Sequence, residues 1–108
     1  MSFHLTIEAA KTSLEKETNP FVVLMKEGSM SVEYFVPKEM DIQTPHKQDE
    51  IYVIASGNSL FNRNGEMVNC KAGDVLFVTA GMKHRFENFS VDFATWVIFY
   101  GREESTRS

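Results

Sequence analysis

The sequence predicts an all-β domain, an antiparallel sandwich or barrel, with one short helix at its N-terminal end. Three observations lead there. Residues 21–101 form a series of short runs rich in β-branched and aromatic residues. Turn chemistry recurs about every eight to twelve residues between them, and no helical period alternates with the runs. At 108 residues, 43% of them apolar and 12% aromatic, the chain can bury one core but not two.

The elements follow in order. "TIEAAKTSLEK", residues 6–16, sets Ile7, Ala10 and Leu14 at helical spacing, and "ETNP" stops that pattern at Pro20. "FVVLMKEG" and "SMSVEYFVP" read as strands separated by Gly28 and Ser29. "EIYVIASG", "SLFNR", "EMVNC", "DVLFVTA", "KHRFEN" and "FATWVIFYG" follow. Asn64-Gly65, between "SLFNR" and "EMVNC", is the strongest hairpin signal, because both residues tolerate the positive φ of a type I′ turn. "KAGD" and "TAGM" add two glycine turns. "FATWVIFYG" is apolar on both faces, as a strand covered on both sides must be. The whole of 1–108 reads as a single domain: an N-terminal helix or arm at 1–20, a barrel at 21–101, and a charged tail at 102–108 that should fray.

The bulk properties exclude several roles. A formal charge of −4 with scattered basic residues gives nucleic acid and anionic membranes nothing to bind. One cysteine, Cys70, rules out an internal disulfide and makes a reducing compartment the default. There is no signal-peptide pattern and no apolar run near the ~20 residues of a membrane span, so the expectation is a soluble cytoplasmic protein.

The chemistry gathers in "TPHKQDEIYVIASG". His46 and Glu50 stand four apart at the mouth of an apolar run. That spacing suits one face of a helix, with Thr44 as N-cap and Pro45 behind it. Ile51, Tyr52, Val53 and Ile54 favour a strand, as do the neighbours, and strand is the reading adopted. Four extended residues span ~13 Å, so two ligands of one ion require the chain to bend between them. The polar "KQD" can supply that bend. His84 follows the turn at "AGMK"; His4, the remaining histidine, lies in the N-terminal segment. Two imidazoles and a carboxylate suit a first-row divalent metal, although buried histidines are more often satisfied by hydrogen bonds alone.

These residues carry a resemblance. The chain resembles the small single-domain cupins of the conserved β-barrel type, over about Phe21 to Gly101. Their first motif, G-x5-HxH-x3/4-E-x6-G, matches His46, Glu50 and Gly57. Their second, G-x5-PxG-x2-H-x3-N, matches Gly73, Gly81, His84 and Asn88. "QTPHKQDEIYV" and "HRFENFSVDFATWVIFYG" are also similar to a bacterial subgroup without a defined reaction. The sequence departs from the motifs at Thr44, where the first histidine would stand, and at Thr79, in place of the proline.

The resemblance implies a double-stranded β-helix, a jelly-roll-like antiparallel barrel. It implies a metal held by His46, Glu50 and His84, with Gln48 a candidate neutral donor in place of the missing histidine. The ion would be Fe, Zn, Mn or Ni, the sequence not choosing among them. An open coordination position fits oxygenase, isomerase or lyase chemistry on a small polar molecule, and fits equally a non-catalytic binding or sensing barrel. Tyr52 and Ile54 share the parity of Glu50 and should line the interior, as Phe86 should with His84. Met30, Val32, Tyr34 and Val36 share a face whose direction the sequence leaves open. Tyr52 and Tyr34 are the candidate proton donors or substrate hydrogen-bonders. Cys70 reads as a simple buried or edge thiol, Asp49 as an outward or turn residue, and Asn88 as a loop residue bonding to backbone. Small cupins are often homodimers, so a dimer through residues near Phe21–Met25 is expected.

Overall fold

The computed structural model describes residues 3–41 and 43–102. Most of the tail expected to fray, residues 103–108, lies outside them. Among the described residues one helix precedes eight strands: α1 (Ile7–Glu15), β1 (Phe21–Glu27), β2 (Met30–Phe35), β3 (Asp49–Ser56), β4 (Asn58–Arg63), β5 (Glu66–Lys71), β6 (Val75–Val78), β7 (His84–Glu87) and β8 (Ala94–Tyr100). Every strand pairing is antiparallel. The larger sheet runs β1-β2-β8-β3-β6, the smaller β5-β4-β7. No helix among the described residues is long and apolar enough to cross a membrane.

Local chemistry explains the boundaries. Thr6, extended at φ −110°, accepts the amide of Ala9 at 3.1 Å and caps α1, and Glu8 sits in its first turn. Asn64 and Gly65 take φ of 52° and 94°, which makes the β4–β5 hairpin. Gly57 closes the first motif for a steric reason. At φ 74° its missing Cβ would lie 2.7 Å from Phe93 Cα, so no side chain fits where β3 turns into β4.

The two sheets face each other across one core. Tyr52, Ile54, Val97 and Phe99 of the larger sheet meet Phe61, Phe86 and Cys70 of the smaller, and Phe93 joins them. Tyr52 and Phe86 stack edge-on with centroids 4.9 Å apart. Burial of Tyr52, Ile54 and Phe86 thus follows the parity read from the sequence. α1 covers the outer face of the larger sheet, burying Ala10 against Tyr34 and Ala94 with Trp96 packed beside them. β8 is apolar on both faces because Val97 and Phe99 serve one core while Ala94 and Trp96 serve the other.

Candidate metal centre

His46 lies in irregular chain before β3, and a bend at Lys47 and Gln48 leads into the strand at Asp49. The bend resolves the distance problem of an extended His-Glu pair: His46 Nδ1 comes within 3.5 Å of Glu50 Oε1. The chain is held there by backbone. Gly81 N donates to the His46 carbonyl at 2.7 Å, and Ala80 N donates to Asp49 Oδ1 at 2.7 Å. Both ties join the first motif to the turn before β7. Thr79, in the motif's proline position, donates its hydroxyl to the same Asp49 oxygen at 3.3 Å. Asp49, the first residue of β3 and not the outward or turn residue expected, is therefore a clasp.

His84 opens β7 directly after that turn, with Gly81 at φ 81°. Its Nδ1 donates to the Met82 carbonyl at 2.9 Å, so the neutral ring presents the Nε2 lone pair inward. Nε2 lies 2.7 Å from Glu50 Oε1, and both side chains are 1% exposed. The approach is close but not aligned as a hydrogen bond. Among the described residues, His46 Nδ1, His84 Nε2 and both Glu50 oxygens are buried without a hydrogen-bonding partner. The three residues offer donor atoms all within 4.8 Å of one another. Lone pairs converging this closely need a proton or a cation between them.

The electrostatics say the same. Burial opposes charge on Glu50, yet the close approach of His46 and His84 outweighs it and holds the carboxyl below its usual range. Burial also opposes charge on His84, and Glu50 overrides it, raising the imidazole. Tyr52 is pushed well above its usual value by burial and then by Glu50.

The other residues singled out in the sequence fall in three places. Tyr52 lies beside the group, its ring centroid 5.9 Å from His84, and donates its hydroxyl to Gln43 Oε1 at 3.0 Å. Gln48 lies at the bend, where its amide nitrogen donates to the carbonyls of Ser29 at 2.7 Å and Gly101 at 2.9 Å; this is a structural bond across the barrel mouth. Tyr34 is not brought to the group. It points to the outer face, under α1 and 5.3 Å from Trp96, because Met30–Val36 direct their apolar parity toward the helix. Cys70 is buried in the barrel core near the Ser59 carbonyl, outside the His-Glu-His group. Asn88 adopts φ 49° in its loop.

A cavity of about 650 Å³ opens over His46, its walls including Ser31, Glu33, Phe35, Gln43 and Phe99. A second, of about 380 Å³, reaches His84 beside Lys83 and Arg85. Gln43, Thr44 and Pro45 line both. Asp41, which also lines the larger cavity, Gln43 and Glu33 escaped the sequence reading. Asp41 is a buried carboxylate that accepts Phe86 N at 2.7 Å and Gln43 Nε2 at 2.8 Å, extending the Tyr52–Gln43 bond into a chain. Glu33 faces the cavity from β2. Burial raises its carboxyl to about 7, against the opposing pull of His46 and with help from Glu50.

The family model of the cupin domain matches residues 31–100. The chain belongs to the cupin family. A curated relative, an uncharacterised protein of Streptomyces coelicolor, is 32% identical over 81 residues, covering 73% of this chain and 77% of its own. An oxalate-binding protein of Thermotoga maritima is 46% identical over 46 residues, which is 40% of this cupin and 38% of that protein. The solved structure of KdgF from Halomonas sp. superposes with a TM-score of 0.69 at 15% identity, covering 82% of this chain and 86% of that one. That last likeness is one of fold, and it agrees with the jelly-roll barrel.

Proposed function

We propose that this cupin is a mononuclear divalent-metal protein that uses the ion to hold a small polar molecule in the larger cavity. One observation carries the reading. Two imidazole nitrogens and a carboxylate converge within 4.8 Å, buried and without hydrogen-bonding partners. Neutral nitrogen and anionic oxygen donors suit first-row divalent ions such as Fe, Zn, Mn or Ni. The Nδ1 bond of His84 to Met82 is the outer support such a ligand needs. A bound ion supplies Lewis acidity and free positions for a ligand's oxygen. Thr44 lines the cavity where a further histidine would reduce those positions.

In this reading Tyr52 is the residue that holds or passes a proton near the ion, with Gln43 and Asp41 fixing its hydroxyl. The oxalate-binding relative supports a small oxyanion as the class of ligand, and oxygenase, isomerase and lyase reactions all remain open to such a site. A barrel that binds or senses its ligand without turnover is the second reading, favoured by the lost histidine at Thr44. A turnover screen with the loaded protein separates the two.

Elemental analysis of purified protein, joined to melting curves with and without a chelator, tests the proposal. We expect about one divalent ion per chain and a lower melting temperature in chelator, since binding to the folded state alone stabilises it. An unchanged melting curve would make the group a polar plug that needs no ion. We further propose a homodimer through β1, an edge strand in which Phe21 and Val23 are 37% and 45% exposed. Light scattering showing a monomer at micromolar concentration would remove that part.

A further inference from the structure

We propose that Glu33 is the specificity residue of the larger cavity, selecting a small oxyanion that also carries a hydrogen-bond donor, hydroxyl or ammonium, and rejecting donor-free dianions such as oxalate. This rests on the proposed metal site and names what that site accepts. The placement follows from register. On β8, Val97 pairs with Glu33 on one side and with Tyr52 on the other; Phe99 pairs with Ser31 and with Glu50. Cross-strand partners share a face, so Ser31 and Glu33 look into the barrel with Tyr52 and Glu50. With β8 between them, Glu33 and Tyr52 stand about 10 Å apart at the backbone. That is the span of a small molecule laid along one wall of the barrel.

The chemistry follows from what Glu33 lacks. It is half-buried in a cavity wall between apolar neighbours, Phe35 on its own strand and Val97 opposite. Its carboxyl makes no hydrogen bond or ion pair among the described residues. Such a group gains most from a donor brought by a ligand, and a charge-assisted bond is the stronger kind. An ion at His46, Glu50 and His84 would take the oxyanion end of the ligand. Glu33, two strands away on the same sheet face, would take the donor end. A ligand anionic at both ends meets a carboxylate where it needs a cation. The Thermotoga maritima relative is named for binding oxalate; this cupin should therefore part from it in ligand class.

The test uses the full-length protein loaded with Zn²⁺ in mildly alkaline buffer, with metal content measured before each titration. Calorimetry compares glycerate, which offers hydroxyls, β-alanine, which offers an ammonium group, and oxalate, which offers neither. In Glu33→Gln the preference for the donor-bearing ligand over oxalate should contract by about tenfold or more at unchanged metal content. Glu33→Ala should contract it too, which guards against misfolding of a single variant. Whichever of the two donor ligands loses its advantage identifies the donor. Zn²⁺ bound as before with the ratio unchanged in both variants would overturn the role of Glu33, as would a loaded native protein that binds oxalate in preference to both donors. Failure of every protein to hold Zn²⁺ would instead bring down the metal site, and this inference with it.

Discussion

The larger sheet has two faces, and each buries polar atoms without partners. On the outer face the Tyr34 hydroxyl lies under α1, fully buried and without a hydrogen-bonding partner among the described residues. On the inner face four atoms of His46, Glu50 and His84 are in the same position. The difference is convergence and charge. Tyr34 is one neutral group closed in by Ala10, Ala94 and Trp96. The inner atoms belong to three ionisable groups aimed at one point, and a cavity opens over His46. An isolated orphan costs a little stability. Several orphans sharing one point make a place for an ion.

The widest separation between the faces should come from His84→Ala. Outer residues that merely orient a ligand cost ten- to a hundredfold in affinity, so losing a ligand should cost about a hundredfold or more and abolish stoichiometric metal by elemental analysis. Glu50→Gln keeps the shape, removes the charge, and should weaken binding to a lesser degree. Thr44→His should raise affinity, because the new imidazole enters the cavity wall beside His46. Metal content identical across all three would mean the wrong residues have been named.

Acidity gives the next effect, with opposite signs for the two states. In chelator, Glu33 contributes fully below its usual 4.5, and that contribution is lost as pH rises through about 7. The contribution of His84 is complete below 6.5 and is lost as pH rises through its raised value. That of Glu50 is present above 4.5 and is lost only as pH falls through its lowered value. Chelated protein should therefore melt lower as pH climbs from about 5 to 8. Metal-loaded protein should melt higher as pH climbs through the first part of that range, because an ion competes with protons for the imidazole nitrogens and binds more fully as protons become scarce. Parallel slopes in the two titrations would argue against a shared site.

Smaller still is Tyr52→Phe, which removes the bond to Gln43. It should cost about 1 kcal/mol in urea unfolding. Tyr34→Phe should cost nothing or gain up to about 1 kcal/mol, since it removes a hydroxyl with no partner, and metal content should not move. A Tyr34 variant that lost metal would erase the distinction between the faces.

Much of this was legible in the sequence, for a physical reason. Asn64-Gly65, Gly57 and Gly81 mark turns that only a few residues can make, and the period of two makes Glu50, Tyr52 and Ile54 share a wall. His46 and Glu50 were legible as a pair once a bend was allowed between them. Glu33 was not. On β2 the apolar parity of Met30, Val32 and Tyr34 looks like the side facing the core, but this sheet serves two cores. The more apolar face went to the helix, and the mixed face of Ser31, Glu33 and Phe35 went to the cavity. One signal was present: a carboxylate one residue before an aromatic pair, inside a strand, with no turn nearby. Asp41 and Gln43 sit in irregular chain, where no periodicity says which way a side chain points.

The clasp of Gly81 on His46 and of Ala80 on Asp49 has a consequence for how this barrel can change over time. It fastens the two motifs through main-chain atoms and an aspartate that is not in the metal group. The donors are gathered before any ion arrives, so an ion need not supply the entropy of gathering them. Fastening and chemistry are thus separate inheritances. A barrel fastened in this way can differ from the cupin motif at a donor position, as it does at Thr44, without loosening the fold that carries the group.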